Sequence, residues 1–243
     1  MTKKQFFMAG MRDGMPICFG YFAVSFAFGI QAAGIGLTVL ESAVLSAANV
    51  TSAGQFAALG IIAAGASYIE LAFTQLIINL RYFLMSCALS QRLSPGLSLL
   101  HRLGIAYGVT DEIFAVSAGQ PYPLSPFYNY GLISVAIPGW ILGTVMGAAA
   151  GNILPQVLTN ALGVALYGMF VAIVVPPAKE NKVVAGAALA AMLLSTAFTF
   201  APLLREISSG FRIILITVAV SAAAAFLFPV EDENAEQEAG HGS

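Results

Sequence analysis

The residues best equipped for chemistry interrupt an apolar stretch, Tyr68 to Ser90, which carries Glu70, Gln75, Asn79, Arg81 and Tyr82. At about 100° per residue, a helix here places Tyr68, Ala72, Gln75, Asn79, Tyr82 and Ser86 within one arc of about 80°. Phe73, Leu76, Ile77, Leu80, Phe83 and Leu84 fill a different arc, suited to lipid. Such a polar stripe can stitch helices together through hydrogen bonds, and Gln75 and Tyr68 fit that use as well as a ligand role. Asn79 and Arg81 point to function, because a deeply placed polar or charged group is costly unless paired or useful. Arg81 near a membrane face could instead snorkel. Glu70 and Arg81 stand eleven residues apart, too far to touch along one helix.

Two shorter groups add to the stripe. The first is Asn49, Thr51, Ser52, Gly54 and Gln55, a polar patch inside the long apolar run from Leu37 to Ala66. If a helix restarts there, its free N–H groups suit a carboxylate, with Ser52 and Gln55 as further donors; a Ser/Gly kink is the bland alternative. The second is Gly108-Val109-Thr110-Asp111-Glu112. Thr110 can cap a helix whose first turn holds the two acids, or the acids can line a cavity and exchange a proton. Expected substrate contacts are therefore Asn49, Ser52, Gly54, Gln55, Gln75, Asn79 and Tyr82. Expected coupling or charge-bearing residues are Glu70, Arg81, Thr110, Asp111 and Glu112. Glu41 reads as a structural first-turn acid.

The elements that must position these groups are membrane helices. Sixty-six residues, Ile113 to Ala178, pass without Asp, Glu, Lys or Arg, and between Gly14 and Gln91 the charges are Glu41, Glu70 and Arg81. Charged residues make up 9% of the chain and hydrophobic ones 58%, with mean hydropathy +0.85; soluble domains carry about 25% charge. Spans of about 20 apolar residues are expected at Met15–Ala33, Tyr68–Ser90, Leu132–Ala150, Val157–Val175, Val183–Ala201 and Ile213–Phe228. The regions Leu37–Ala66 and Leu103–Gly119 fit broken helices or re-entrant hairpins, which are tolerated at membrane depth where protein or water covers them. The expected fold is all-α, a polytopic bundle of about six or seven transmembrane helices with a broken or re-entrant segment. The membrane domain covers residues 1–229, and an acidic tail, 230–243, is expected to be disordered.

Gly139, Gly143, Gly147 and Gly151 recur every fourth residue, the small-xxx-small pattern of close helix packing. Pro16 with Gly29 and Pro138 with Gly151 share a thirteen-residue spacing, which allows an inverted repeat or coincidence. Cys18 and Cys87 read as packing residues, and His101 and His241 offer no metal site, so no metal or cofactor is expected. The basic start (Lys3, Lys4, Arg12) argues for a cytoplasmic N-terminus, and the apolar run after it is too long for a cleaved leader.

The order Glu41-Ser42, Gln55-Phe56, Asn79-Leu80-Arg81-Tyr82 and Gly108-Val109-Thr110-Asp111-Glu112 resembles the AzlC family, the large subunits of bacterial branched-chain amino-acid exporters. The likeness runs from about Asp13-Gly14-Met15-Pro16 to the last span. It departs at Ser52-Ala53-Gly54, where the family usually reads Gly-Ala-Ser. The resemblance implies a multi-pass permease of the bacterial inner membrane that works with a small AzlD-like membrane subunit. It further implies efflux of leucine, isoleucine, valine and often methionine, without nucleic acid or cofactor.

The expected activity is secondary export, since no P-loop appears. In it, the broken segment takes the carboxylate, Asn79 and Tyr82 orient the zwitterion, and Asp111 or Glu70 faces the ammonium or carries a proton. An intramembrane enzyme would need a nucleophile–base pair or metal ligands, which the spans do not offer. The alternatives are a structural or assembly subunit, or a permease for another small apolar solute.

Overall fold

The structure is a computed structural model and describes residues 1–94, 96–121, 123–151, 171, 174–201, 204 and 206–228. The expected span Val157–Val175 lies almost wholly outside these residues, and the acidic tail lies outside them entirely. The chain forms two compact units, Met1–Phe170 and Val171–Ser243. All regular elements among the described residues are helices, and five are long and apolar enough to cross a membrane.

The first unit contains α1 (Lys3–Gly34), α2 (Val39–Ala48), α3 (Ser52–Ala63), α4 (Tyr68–Arg92), α5 (Leu99–Tyr107), α6 (Asp111–Ala118) and α7 (Pro126–Gly151). Short polar side chains start most of them. Thr2 with Gln5 and Thr38 with Glu41 form reciprocal capping boxes, while the Thr51, Ser67 and Thr110 hydroxyls cap α3, α4 and α6. Gly36 (φ 92°) and Gly65 (φ 63°) supply the left-handed turns before α2 and after α3.

Helices α1 and α7 form the spine. Their contacts pair residue n with residue n + 121: Gly10 with Gly131, Cys18 with Gly139, Phe22 with Gly143, Phe26 with Gly147 and Ile30 with Gly151. A constant difference, rather than a constant sum, means that the two helices run parallel. A Cβ added at Gly147 would lie 2.0 Å from the Phe26 carbonyl oxygen, so the glycine stripe sets this close approach. The Pro16/Gly29 and Pro138/Gly151 signatures therefore mark parallel spans, and that spacing does not record an inverted repeat.

An inverted relation appears elsewhere. Leu37, before α2, and Leu59, late in α3, both belong to the cluster around Phe28 and Ala32 near the end of α1. Ser46 and Gln55, towards the α2–α3 junction, instead reach Thr144 and Trp140 further down the spine. The α2–α3 pair thus enters and leaves at the end where α1 finishes. Its arms of 10 and 12 residues rise about 15–18 Å, half of a hydrocarbon core about 30 Å thick. Helix α4 then crosses antiparallel to α1, bringing Arg92 within 2.8 Å of the Gln120 carbonyl at the opposite end. From that end α5 rises and α6 returns. His101 and Gln120 meet Tyr130 and Tyr128 in the first two turns of α7, and the tip residue Thr110 reaches Tyr21. The regions Leu37–Ala66 and Leu103–Gly119 are both re-entrant hairpins, entering from opposite ends, and their non-helical tips are Asn49–Thr51 and Gly108–Thr110. Val50-Thr51 and Val109-Thr110 lie fifty-nine residues apart, and each threonine caps a half-helix pointing back to its own side.

The second unit includes α8 (Lys182–Phe200) and α9 (Ser209–Leu227), both long enough to span and largely exposed within the chain. They match the expected spans Val183–Ala201 and Ile213–Phe228 closely.

Candidate functional site

The site forms where the two hairpin tips approach α4 and α1 at mid-depth. From the first tip, Asn49 Nδ2 donates to Gln75 Oε1 at 3.1 Å, and the Thr51 hydroxyl donates to Asn79 Oδ1 at 2.8 Å. Asn79 Nδ2 returns a bond to Gln75 Oε1 at 3.2 Å, and Gln75 Nε2 donates to the Gly54 carbonyl at 2.8 Å. The i, i+4 spacing of Gln75 and Asn79 puts both amides on one face of α4. Phe73, Leu76, Leu80, Phe83 and Leu84 lie exposed on the other face, as the stripe predicts.

Two residues after Asn79, Arg81 joins the second tip. Its guanidinium lies 3.0 Å from Asp111 Oδ2, donates to the Tyr82 hydroxyl at 3.1 Å, and sits 4.8 Å from the Tyr82 ring centre. The Arg81 and Asp111 side chains are 41% and 46% exposed, so the pair is reachable rather than sealed. Charged groups at such depth face a bundle interior or a water-filled cavity. The hairpins also touch each other, the Tyr107 hydroxyl donating to the Ala47 carbonyl at 2.6 Å.

Tyr21 of α1 closes the cluster. Its buried hydroxyl lies 2.5 Å from Thr110 Oγ1 and 2.6 Å from Glu112 Oε2, and its ring meets Trp140 edge-on at 5.5 Å. Sequence reasoning missed Tyr21: its partners are 89 and 91 residues away, and no spacing signals contacts of that range. Thr51 was visible as a polar tip residue, although its bond to Asn79 was not.

The expected site residues divide accordingly. Asn49, Gly54 (through its carbonyl), Gln75, Asn79, Tyr82, Arg81, Thr110, Asp111 and Glu112 come together. Gln55 does not. It is fully buried: Nε2 donates to Ser46 Oγ of α2 at 2.9 Å and Oε1 accepts from the Trp140 indole of α7 at 2.7 Å. Ser46 in turn lies 2.7 Å from Thr144 Oγ1, so Gln55 latches the first hairpin to the spine. Ser52 opens α3, but its hydroxyl takes no part in the network; Thr51 takes the capping role through its contact with Gly54 N. Glu70 is buried in the first turn of α4, about 16 Å along the axis from Arg81. Among the described residues no group of His, Cys, Asp and Glu could hold a metal ion.

Among the described residues, five long apolar helices, two opposed half-membrane hairpins and a polar cluster where their tips meet define a polytopic integral membrane protein. The family model described as AzlC protein matches residues 16–154, and the chain belongs to the AzlC family. It is 32% identical over 171 residues to the inner membrane protein YgaZ of Escherichia coli strain K12, covering 68% of this chain and 70% of that protein. It is also 28% identical over 188 residues to an uncharacterised membrane protein of Archaeoglobus fulgidus, covering 75% and 81% respectively. No solved structure matches.

Proposed function

We propose that the chain is the large subunit of a secondary exporter for leucine, isoleucine, valine and methionine, acting with a small AzlD-like membrane subunit. The observation that carries this reading is the half-exposed Arg81–Asp111 pair between the hairpin tips. An amino acid is a zwitterion, and inserting it into this pair gives its carboxylate to Arg81 and its ammonium to Asp111 without changing the net charge. Asn79, Gln75 and Tyr82 then offer neutral hydrogen bonds beside the charged contacts. The tips contribute the apolar Val50 and Val109 to the neighbourhood of the side chain. One methylene discriminates by only about 1–3 kcal/mol, so Leu, Ile, Val and Met should share the route.

Charge supports an orientation in the membrane. With α2–α3 re-entrant, Lys3, Lys4, Arg12, Arg92 and Arg102 all belong to the end where α1 begins, and the turns at Gly36 and Gly65 carry no Lys or Arg. The positive-inside rule then places that end, and the N-terminus, in the cytoplasm of a bacterial inner membrane. The α5–α6 hairpin faces the cytoplasm and α2–α3 the opposite side.

The test is intracellular leucine and methionine after dipeptide feeding, in cells lacking this chain and its small neighbour. Both pools should rise on deletion, fall again with the wild-type pair, and stay high with Arg81→Gln. Pools that ignore the deletion would end the export reading.

A further inference from the structure

The two hairpins are fastened to the rest of the unit by different chemistry. Near its tip, α2–α3 is held by neutral groups: Ser46 with Thr144, Gln55 with Trp140, Asn49 with Gln75 and Thr51 with Asn79. The tip of α5–α6 is held through two carboxylates, Asp111 to Arg81 and Glu112 to Tyr21. These acids are not equivalent. Asp111 has a cation at 3.0 Å, whereas Glu112 is exposed and its hydrogen-bond partner is the Tyr21 phenol. The groups facing Glu112 are Tyr21 from α1, Thr110 and Asp111 from its own hairpin, and, one residue further out, Arg81 and Tyr82 of α4, which act on Asp111 and Tyr21. Arg81, Asp111 and Glu112 together carry a formal charge of −1, and a single proton brings them to zero.

We propose that Glu112 is the carboxyl that takes up and releases a coupling proton, with Tyr21 passing its protonation state to the α5–α6 tip; this rests on the transport reading above. The Tyr21 hydroxyl has one hydrogen and two oxygen neighbours. With Glu112 ionised, Tyr21 donates to the carboxylate and the Thr110 hydroxyl donates to Tyr21. With Glu112 protonated, the carboxyl donates to Tyr21, and Tyr21 turns its hydrogen to Thr110. Thr110 Oγ1 already accepts from Ile113 N as the cap of α6, so the reversal acts on the residue that starts the second half-helix. The proton is drawn from water on one side of the membrane and returned to water on the other, so no other reactant is required. Asp111 stays with Arg81 for the zwitterion, and Glu70 is too distant to share the proton.

The experiment uses inside-out membrane vesicles from cells expressing the full chain and its small neighbour, with the membrane potential clamped at zero. Two readouts are taken with radiolabelled leucine: counterflow into vesicles preloaded with unlabelled leucine, and accumulation driven by an acid lumen. The wild type should show both, accumulating up to about tenfold per pH unit for one proton per leucine. Glu112→Gln should keep counterflow within about twofold and lose the pH-driven accumulation, while Glu112→Asp should retain both. Tyr21→Phe should shift the pH profile of accumulation. PH-driven accumulation by Glu112→Gln, loss of its counterflow, or a wild type with counterflow but no response to the gradient would each overturn the proposal. Absence of counterflow in the wild type would instead sink the transport reading on which it stands.

Discussion

Gln55→Leu separates a structural amide from a ligand-binding one. The substitution preserves approximate volume and removes both polar ends of a fully buried side chain. The bond to Ser46 disappears, while Ser46 keeps Thr144. The indole N–H of Trp140, now 2.7 Å from Gln55 Oε1, is left without an acceptor. One lost bond at about 1 kcal/mol and one orphaned donor at about 1–3 kcal/mol sum to about 2–4 kcal/mol. For a chain of this size that is a fall of about 4–16 °C in the unfolding midpoint. The midpoint can be read in detergent with a thiol-reactive dye in a Cys87→Ser background, since Cys87 is exposed in the folded chain whereas Cys18 packs over Gly139 in the α1–α7 seam and becomes accessible on unfolding. Adding Trp140→Phe removes the stranded donor. The double variant should therefore be more stable than the summed single effects imply, by about 1–3 kcal/mol. Leucine KM should be unchanged once rates are scaled to folded protein. Strict additivity with an altered KM and an unshifted midpoint would refute the latch and return Gln55 to the substrate.

Other consequences can be measured with single substitutions. Gly147→Val pushes a side chain into the Phe26 backbone and should cost about 1–3 kcal/mol or more, whereas Gly20→Val, with nothing within 4 Å of a built Cβ, should leave the midpoint in place. Single cysteines at Thr38 and Ser67 should react with an impermeant maleimide from one side of the membrane, and those at Thr2 and Ser98 from the other. Opposite labelling of Thr38→Cys and Ser67→Cys would show a full crossing instead of a hairpin. Asn79→Ala removes the acceptor of Thr51 and a donor to Gln75. It should lower leucine counterflow more than tenfold, about 1.4 kcal/mol, with a smaller midpoint loss than Gln55→Leu; wild-type counterflow would argue that this amide only joins helices.

Much of this architecture can be read from the chain because hydrocarbon leaves little freedom to a polar residue. The Gln75–Asn79–Tyr82 stripe follows from helical geometry alone, and its apolar counterface is exposed as expected. The polar interruptions at Asn49–Gln55 and Gly108–Glu112 mark the hairpin tips because unpaired backbone survives at depth only where other groups cover it. Partners across the fold are a different matter. Gln55 carries the same amide as Gln75, yet one faces the spine and the other the tip, and only the location of Trp140 and Ser46 decides between them. The direction of α7 relative to α1 was equally hidden, since Pro and Gly at a shared spacing fit a parallel or an antiparallel pair.

The parallel seam also dictates an order of assembly. Residue n of α1 waits for residue n + 121, which a ribosome adding about 5–20 residues per second delivers some 6–24 seconds later. Both hairpins depend on that late arrival, because Ser46, Gln55 and Ser117 find Thr144, Trp140 and Asn129 only on α7. A nascent chain truncated before Pro126 would lack every one of these bonds to α7, leaving Gln55 and Ser46 with each other alone, a natural substrate for membrane quality-control proteases.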